Sequence, residues 1–137
     1  MKIANILSAI LGLVLATLSI QWIFNPEAAA DSLGMLYLEG EGRNTQIRDF
    51  TAFFAASSLF CLFAFFTFRS SWLLAAGLIY LFALGFNVYH VMYLGGEVQT
   101  QLFVEVVLSV WILGTALLMR SAASSKPVVK EATADTE

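Results

Sequence analysis

Six polar or ionisable residues stand near the ends of long apolar segments, and their side chains are the ones best suited to chemistry. They are Arg48, Asp49, Asn87, His90, Gln101 and Glu105. Arginine can bind a carboxylate through two parallel hydrogen bonds, and histidine can carry a proton near neutral pH. We therefore expect a polar cluster in which Arg48 pairs with Glu105, with His90 and the two amides beside them.

The spacing of these residues predicts that they meet at one end of a helical bundle. Arg48 and Asp49 open the second long apolar segment. His90 lies about one turn before the end of the third segment, and Glu105 lies about one turn inside the fourth. A lone charge at membrane depth costs on the order of 2.5 to 3.5 kcal/mol on insertion scales, so such side chains usually pair or face a cavity. The sequence therefore predicts a shared polar pocket near the outer leaflet.

Three functions are compatible with such a cluster. It can be a structural clasp that fixes helix register in a non-catalytic accessory or interaction subunit, and this is the function we expect. It can instead be the quinone or lipid site of a membrane oxidoreductase component, with Trp22, Tyr89 and Tyr93 as walls. Proton or ion transfer is the third, but a pathway needs a second polar layer, which the inner halves of the segments lack.

Composition excludes several classes of protein. The chain has 137 residues, of which 59% are hydrophobic and 12% charged, whereas soluble domains carry about 25% charged residues. A net charge of −3 without clustered Lys or Arg argues against nucleic acid as a partner. One cysteine cannot form an intrachain disulfide, and one His with one Cys is too few for a zinc site without carboxylates. No metal site, catalytic residue or cofactor is predicted, apart from the quinone or lipid alternative.

The long apolar runs predict an all-α integral membrane protein. Spans are expected at about residues 3–24, 47–69, 72–94 and 98–119, within one domain of residues 1–120. The first run has 22 residues, or about 33 Å of helix, which is enough to cross a bilayer. A cleaved signal peptide is the competing interpretation, but its apolar core is shorter, about 7 to 15 residues.

The connections predict an up-down four-helix bundle. Residues 69–71 form a short link between the second and third spans, with a serine placed to cap the third helix. Gly95 and Gly96 end that helix. The segment Asn25-Pro26-Glu27 predicts a short interfacial helix that reaches Leu33 and stops at Gly34. Residues 38–42 are expected to be irregular, and residues 121–137 to form a disordered cytoplasmic tail.

The positions of Lys and Arg predict the orientation. Five lie at the end that carries the termini, and two lie at the other end: Lys2, Arg69, Arg120, Lys126 and Lys130 against Arg43 and Arg48. The positive-inside rule then places both termini in the cytoplasm of a bacterial inner membrane.

Small and polar residues at helical spacing predict which faces of the spans meet. The stripes are Ala4, Ser8, Gly12 and Ala16 in the first span, Ala52 and Ala56 in the second, Ala76, Ala83, Asn87 and His90 in the third, and Gln101, Glu105 and Ser109 in the fourth. Phe53 and Phe60 are expected to face lipid. The alternative is that these stripes join the chain to a second copy or to other membrane subunits.

Taken together, Arg48-Asp49, Asn87-x-x-His90, Gly95-Gly96 and Glu105 resemble a group of bacterial four-helix membrane proteins of unknown function that are loosely DoxX-like. The resemblance covers about residues 3–119. Some members of that group are similar to quinone-linked oxidoreductase subunits, so the resemblance implies a ligand pocket. A thiol oxidoreductase needs a pair of redox-active cysteines, and this chain has only one cysteine.

Overall fold

The computed structural model describes residues 2–98 and 100–124, which form five helices and no strand. These are α1 (Lys2–Phe24), α2 (Pro26–Ser32), α3 (Gly40–Thr67), α4 (Ser70–Tyr93) and α5 (Thr100–Ser124). The four longer helices are each long and apolar enough to cross a membrane. The predicted fold class is confirmed: the chain is an all-α, multi-pass membrane protein with a short helix after the first span.

The four long helices form a closed ring. α1 packs on α3 and α5, and α4 packs on the same two helices, while α2 packs on α1. Among the four long helices, the contact between α1 and α3 is the most extensive and that between α1 and α5 the least. Because the chain alternates in direction, α2 and the start of α3 lie at the same end of the ring as the end of α4 and the start of α5. We call this the loop end.

Three helix boundaries differ from the prediction. α3 begins at Gly40 rather than at residue 47, because its first turns are polar and apolarity could not reveal them. No serine caps α4, whose N-cap is Arg69 in an extended conformation. α5 continues to Ser124, so the first residues of the predicted tail are helical. Residues 125–137 of that tail lie outside the described residues.

Hydrogen bonds from serine hydroxyls join α1 to α3. Ser8 Oγ donates to the Cys61 carbonyl at 2.6 Å, and Ser58 Oγ donates to the Gly12 carbonyl at 2.8 Å. A Cβ at Gly12 would lie 2.7 Å from Leu62 Cδ2, so a larger residue here would displace the Leu62 side chain. The small-residue face predicted for the first span is therefore a contact face within the chain.

The contact face predicted for the second span is wrong. Ala52 is exposed and Ala56 only half-buried. The buried face of α3 instead consists of Gln46, Phe54, Ser57, Ser58, Cys61 and Ala64. Two adjacent serines and a cysteine can pack as closely as alanine, so the spacing of alanines alone pointed to the wrong side of the helix.

The short connections at the loop end agree with the prediction. Asn25 caps α2 by accepting a hydrogen bond from Ala28 N at 3.3 Å, and Gly34 turns the chain with a φ of 67°. Gly95 ends α4 with a φ of 69°, which lets Gly96 N donate to the His90 carbonyl at 3.2 Å. This is the glycine-terminated helix end expected at Gly95.

Candidate functional site

A buried carboxyl group lies between α4 and α5 at the loop end. Glu105 is 7% exposed. Its Oε2 accepts from Asn87 Nδ2 at 3.1 Å, and its Oε1 accepts from Gln101 Nε2 at 3.3 Å. No Lys, Arg or His among residues 2–98 and 100–124 forms an ion pair with it. Each carboxyl oxygen therefore has a neutral amide donor but no positive partner.

A cavity of about 190 Å³ opens beside this carboxyl, and we call it the Glu105 pocket. Its walls come from α3, α4, α5 and the residue that follows α2. The lining comprises Leu33, Asp49, Phe50, Phe53, Phe54, Tyr80, Ala83, Gln101, Val104, Glu105 and Leu108. Most of these side chains are apolar, and a few polar groups stand among them, as is usual for sites that bind small organic molecules.

Aromatic rings form one side of the Glu105 pocket. The ring of Phe53 meets Tyr80 edge to face with centroids 4.9 Å apart, and it meets Phe54 in the same manner at 5.3 Å. Phe50 stacks on the fully buried Trp22 at 4.8 Å. These contacts fix the rings on the side of the pocket formed by α3.

Tyr80 adds a polar group to this lining. Its side chain is 1% exposed, and its hydroxyl has no hydrogen-bond partner among the described residues. The Ser57 hydroxyl on α3 lies close to it, and a small side-chain adjustment would bring the two into a hydrogen bond. A buried hydroxyl without a partner is costly, about 1 to 3 kcal/mol. The Tyr80 hydroxyl has almost no accessible surface, so a ligand oxygen would reach it only after the side chain turns toward the cavity.

The expected pair between Arg48 and Glu105 is not formed. Arg48 Nε lies 2.9 Å from Oδ1 of the neighbouring Asp49, and both side chains are well exposed. Asp49 lines the Glu105 pocket, but Arg48 does not. Adjacent residues on a helix point in different directions, so Arg48 and Asp49 occupy different sides of α3. From its side, Arg48 reaches water and the carboxylate of Asp49 without entering the pocket.

His90 also stands apart from Glu105. It is exposed, and its ring lies against the turn that ends α4, where a Cβ at Gly96 would collide with the imidazole. It makes no side-chain hydrogen bond to the other polar residues singled out in the sequence. Of those six residues, the structure brings Asn87, Gln101 and Glu105 into contact and places Asp49 at the same pocket.

Sequence reasoning assigned the walls to the wrong aromatic residues. Tyr89 and Tyr93 are exposed and contact each other at 5.1 Å, away from the pocket. Phe53, which was expected to face lipid, lines it. Tyr80 was missed, although its position between Ala76 and Ala83 continues the predicted small-residue stripe of α4 at helical spacing.

Comparison with protein-family models, curated proteins and solved structures finds no match to this chain. The DoxX-like resemblance therefore stays a prediction from the residues that carry it.

Proposed function

We propose that this chain is a small, non-catalytic membrane protein that binds a lipid-soluble ring compound of the quinone type in the Glu105 pocket. The observation that carries the proposal is a buried carboxyl group beside one aromatic-walled cavity, whose lining also includes Tyr80. The carboxyl of Glu105 would accept a hydrogen bond from a quinol hydroxyl, and Tyr80 would donate one to a ring oxygen. The phenylalanine rings would cover the faces of the bound ring.

The size of the pocket supports a single ring. Sites for drug-sized molecules are about 300 to 1,000 Å³, whereas this cavity is about 190 Å³. A cavity of roughly 150 Å³ is known to hold benzene. One substituted ring therefore fits within the cavity.

The proposed setting is a bacterial inner membrane with both termini in the cytoplasm. This orientation rests on the excess of Lys and Arg at the end of the bundle opposite the loop end. The Glu105 pocket would then lie near the outer leaflet. Such a protein would act as an accessory component that holds or presents a quinone to other membrane subunits or to a second copy of itself.

A second candidate function is that of a subunit without a ligand, in which the polar residues only hold the helices in register. The observation that favours it is the hydrogen bond from Asn87 to Glu105, which joins α4 to α5. In this role Glu105 would matter for folding, and the cavity would stay empty.

Binding of a soluble quinone headgroup separates the two functions. The full chain in lipid nanodiscs is titrated by calorimetry with dimethoxy-methyl-benzoquinone, which has no tail, and separately with its reduced quinol form. Ala83→Phe fills the pocket from α4, and the matched control Ala52→Phe adds the same ring to an exposed position of α3 that does not line the pocket. We expect the native chain and A52F to bind, and A83F to lose at least about tenfold in affinity.

Absence of binding to the native chain would contradict the ligand proposal. Glu105→Gln then decides for the second candidate: a purely structural role predicts lower thermal stability and lower abundance for E105Q. In the ligand-binding role, E105Q stays folded and binds the reduced headgroup, the quinol, more weakly, since it lacks a carboxylate to accept from the quinol hydroxyl.

A further inference from the structure

A second cavity, of about 340 Å³, lies on the outside of the seam between α1 and α5. We call it the α1–α5 groove. Val14 and Leu18 line it from α1, and Phe103, Val107 and Trp111 line it from α5. All of its lining side chains are hydrophobic, so it offers an apolar surface to a hydrocarbon chain and nothing to a polar group.

The α1–α5 groove and the Glu105 pocket share two wall residues. Val104 and Leu108, one turn apart on α5, line both cavities. Leu108 is 6% exposed and Val104 is half-buried. These two side chains therefore separate the pocket from the groove, and a bound molecule that occupies both cavities must push them aside.

The seam between α1 and α5 is the one that can part most easily. These helices contact each other less extensively than any other neighbouring pair in the ring. No side-chain hydrogen bond joins α1 to the groove-lining residues 103–111 of α5, whereas serine hydroxyls join α1 to α3 and Asn87 joins α4 to α5. Separation beside the groove therefore breaks no side-chain hydrogen bond of these described residues, and lipid chains can replace the apolar contacts of the groove lining.

We infer that the ligand of the Glu105 pocket carries a hydrocarbon tail, that the tail lies in the α1–α5 groove, and that the ligand reaches the pocket from the bilayer through this seam. This inference rests on the proposed function, because the tail is attached to the ring that the Glu105 pocket binds. The substrate class is thus narrowed to ring compounds with a long apolar chain, rather than any small aromatic molecule.

Two probes test the inference with the full chain in nanodiscs. One is the dimethoxy-methyl-benzoquinone headgroup alone, as above, and the other is the same headgroup with a decyl chain. Val107→Trp fills the groove from a position that is 59% exposed and does not line the pocket. The matched control is Val106→Trp, at an exposed position next to it that lines neither cavity.

We expect V107W to weaken binding of the decyl compound by at least about fivefold while the headgroup alone binds as it does to the native chain. V106W should bind both probes normally, which excludes an effect of tryptophan on lipid partitioning. Equal affinity of V107W and the native chain for the decyl compound, with headgroup binding intact, would overturn the inference and leave the proposed function standing. Failure of the native chain to bind either probe would overturn both.

Discussion

Asn87 donates a hydrogen bond from Nδ2 to Oε2 of Glu105 at 3.1 Å, and this contact joins α4 to α5 at the loop end. Gln101 lies on the same helix as Glu105, one turn before it, and donates to Oε1 at 3.3 Å. Gln101 therefore orients the carboxyl within α5, whereas Asn87 holds it against the neighbouring helix. Both contacts keep the carboxyl beside the Glu105 pocket.

A double-mutant cycle should detect the contact between Asn87 and Glu105. In membrane proteins the coupling of such interhelical hydrogen bonds averages about 0.6 kcal/mol and reaches about 1.7. We expect Asn87→Ala and Glu105→Ala to show a coupling within this range in the free energy of unfolding, measured by steric trapping in bicelles. Strict additivity would contradict the contact. A cycle of Asn87→Ala with Ser8→Ala, which lies on α1, should be additive and serves as the control.

Arg48 should contribute little to stability and nothing through Glu105. Its ion pair with Asp49 is exposed, and such pairs contribute about 0 to 1 kcal/mol. We expect Arg48→Ala to change the free energy of unfolding by less than about 0.5 kcal/mol, with any effect reduced at high salt. Reversing the charges of Arg48 and Glu105 together should not rescue the Glu105 reversal. Rescue in the same unfolding assay would show that the two side chains pair.

Gly12 should not tolerate a larger side chain. A Cβ there would lie 2.7 Å from Leu62 Cδ2 and 3.4 Å from the Leu62 backbone nitrogen, so Leu62 would have to move, and the two further methyl groups of a valine leave it little room. We expect Gly12→Val to lower the free energy of unfolding by about 1 to 3 kcal/mol. Gly114→Val is the matched control, since a Cβ at Gly114 meets nothing within 4 Å. Equal stability of the two variants would show that α1 and α3 do not require this close approach.

The number and order of the helices follow from apolar length alone, because a spanning helix must satisfy its own backbone in lipid. The spacing of the polar residues also predicts that they lie at the same end of the bundle. Which of those residues touch does not follow, since it depends on helix rotation. A rotation of about 100° separates adjacent residues on a helix, so Asp49 lines the pocket while Arg48 points to water.

The aromatic wall could not be predicted from residue type. Phenylalanine is stable both in contact with lipid and in a helix interface. Residue type therefore does not distinguish the exposed Phe66 from the pocket-lining Phe53. Glu105 was identifiable because a carboxyl group has few acceptable environments at membrane depth. The sequence therefore indicated the polar part of the site more reliably than the apolar part.

Gln46 should be required to hold the loop that precedes α3. It is 6% exposed; its Oε1 accepts from Leu38 N at 3.0 Å, and its Nε2 donates to the Leu36 carbonyl at 3.0 Å. Gln46→Leu would leave two backbone groups without partners, so we expect a loss of about 1 to 3 kcal/mol. Hydrogen exchange of the Leu38 amide should become faster in that variant. Asn44→Leu, at an exposed position of the same helix, should leave exchange unchanged; slow exchange in Q46L would contradict the assigned role.

Tyr80→Phe should separate the stability of the bundle from binding in the Glu105 pocket. The hydroxyl meets no hydrogen-bond geometry in the described residues and has only the neighbouring Ser57 hydroxyl to interact with, so its removal should cost the folded state little. We expect the free energy of unfolding to stay the same or to rise by up to about 1 kcal/mol, since a buried unpaired hydroxyl is unfavourable. The affinity for the quinone headgroup should fall about three- to tenfold, which corresponds to one neutral hydrogen bond.

Tyr89→Phe, at an exposed position on the same helix, should alter neither quantity. A Y80F chain that binds the headgroup with native affinity would show that the ligand does not use this hydroxyl, and one that unfolds more readily would show that the hydroxyl stabilises the bundle.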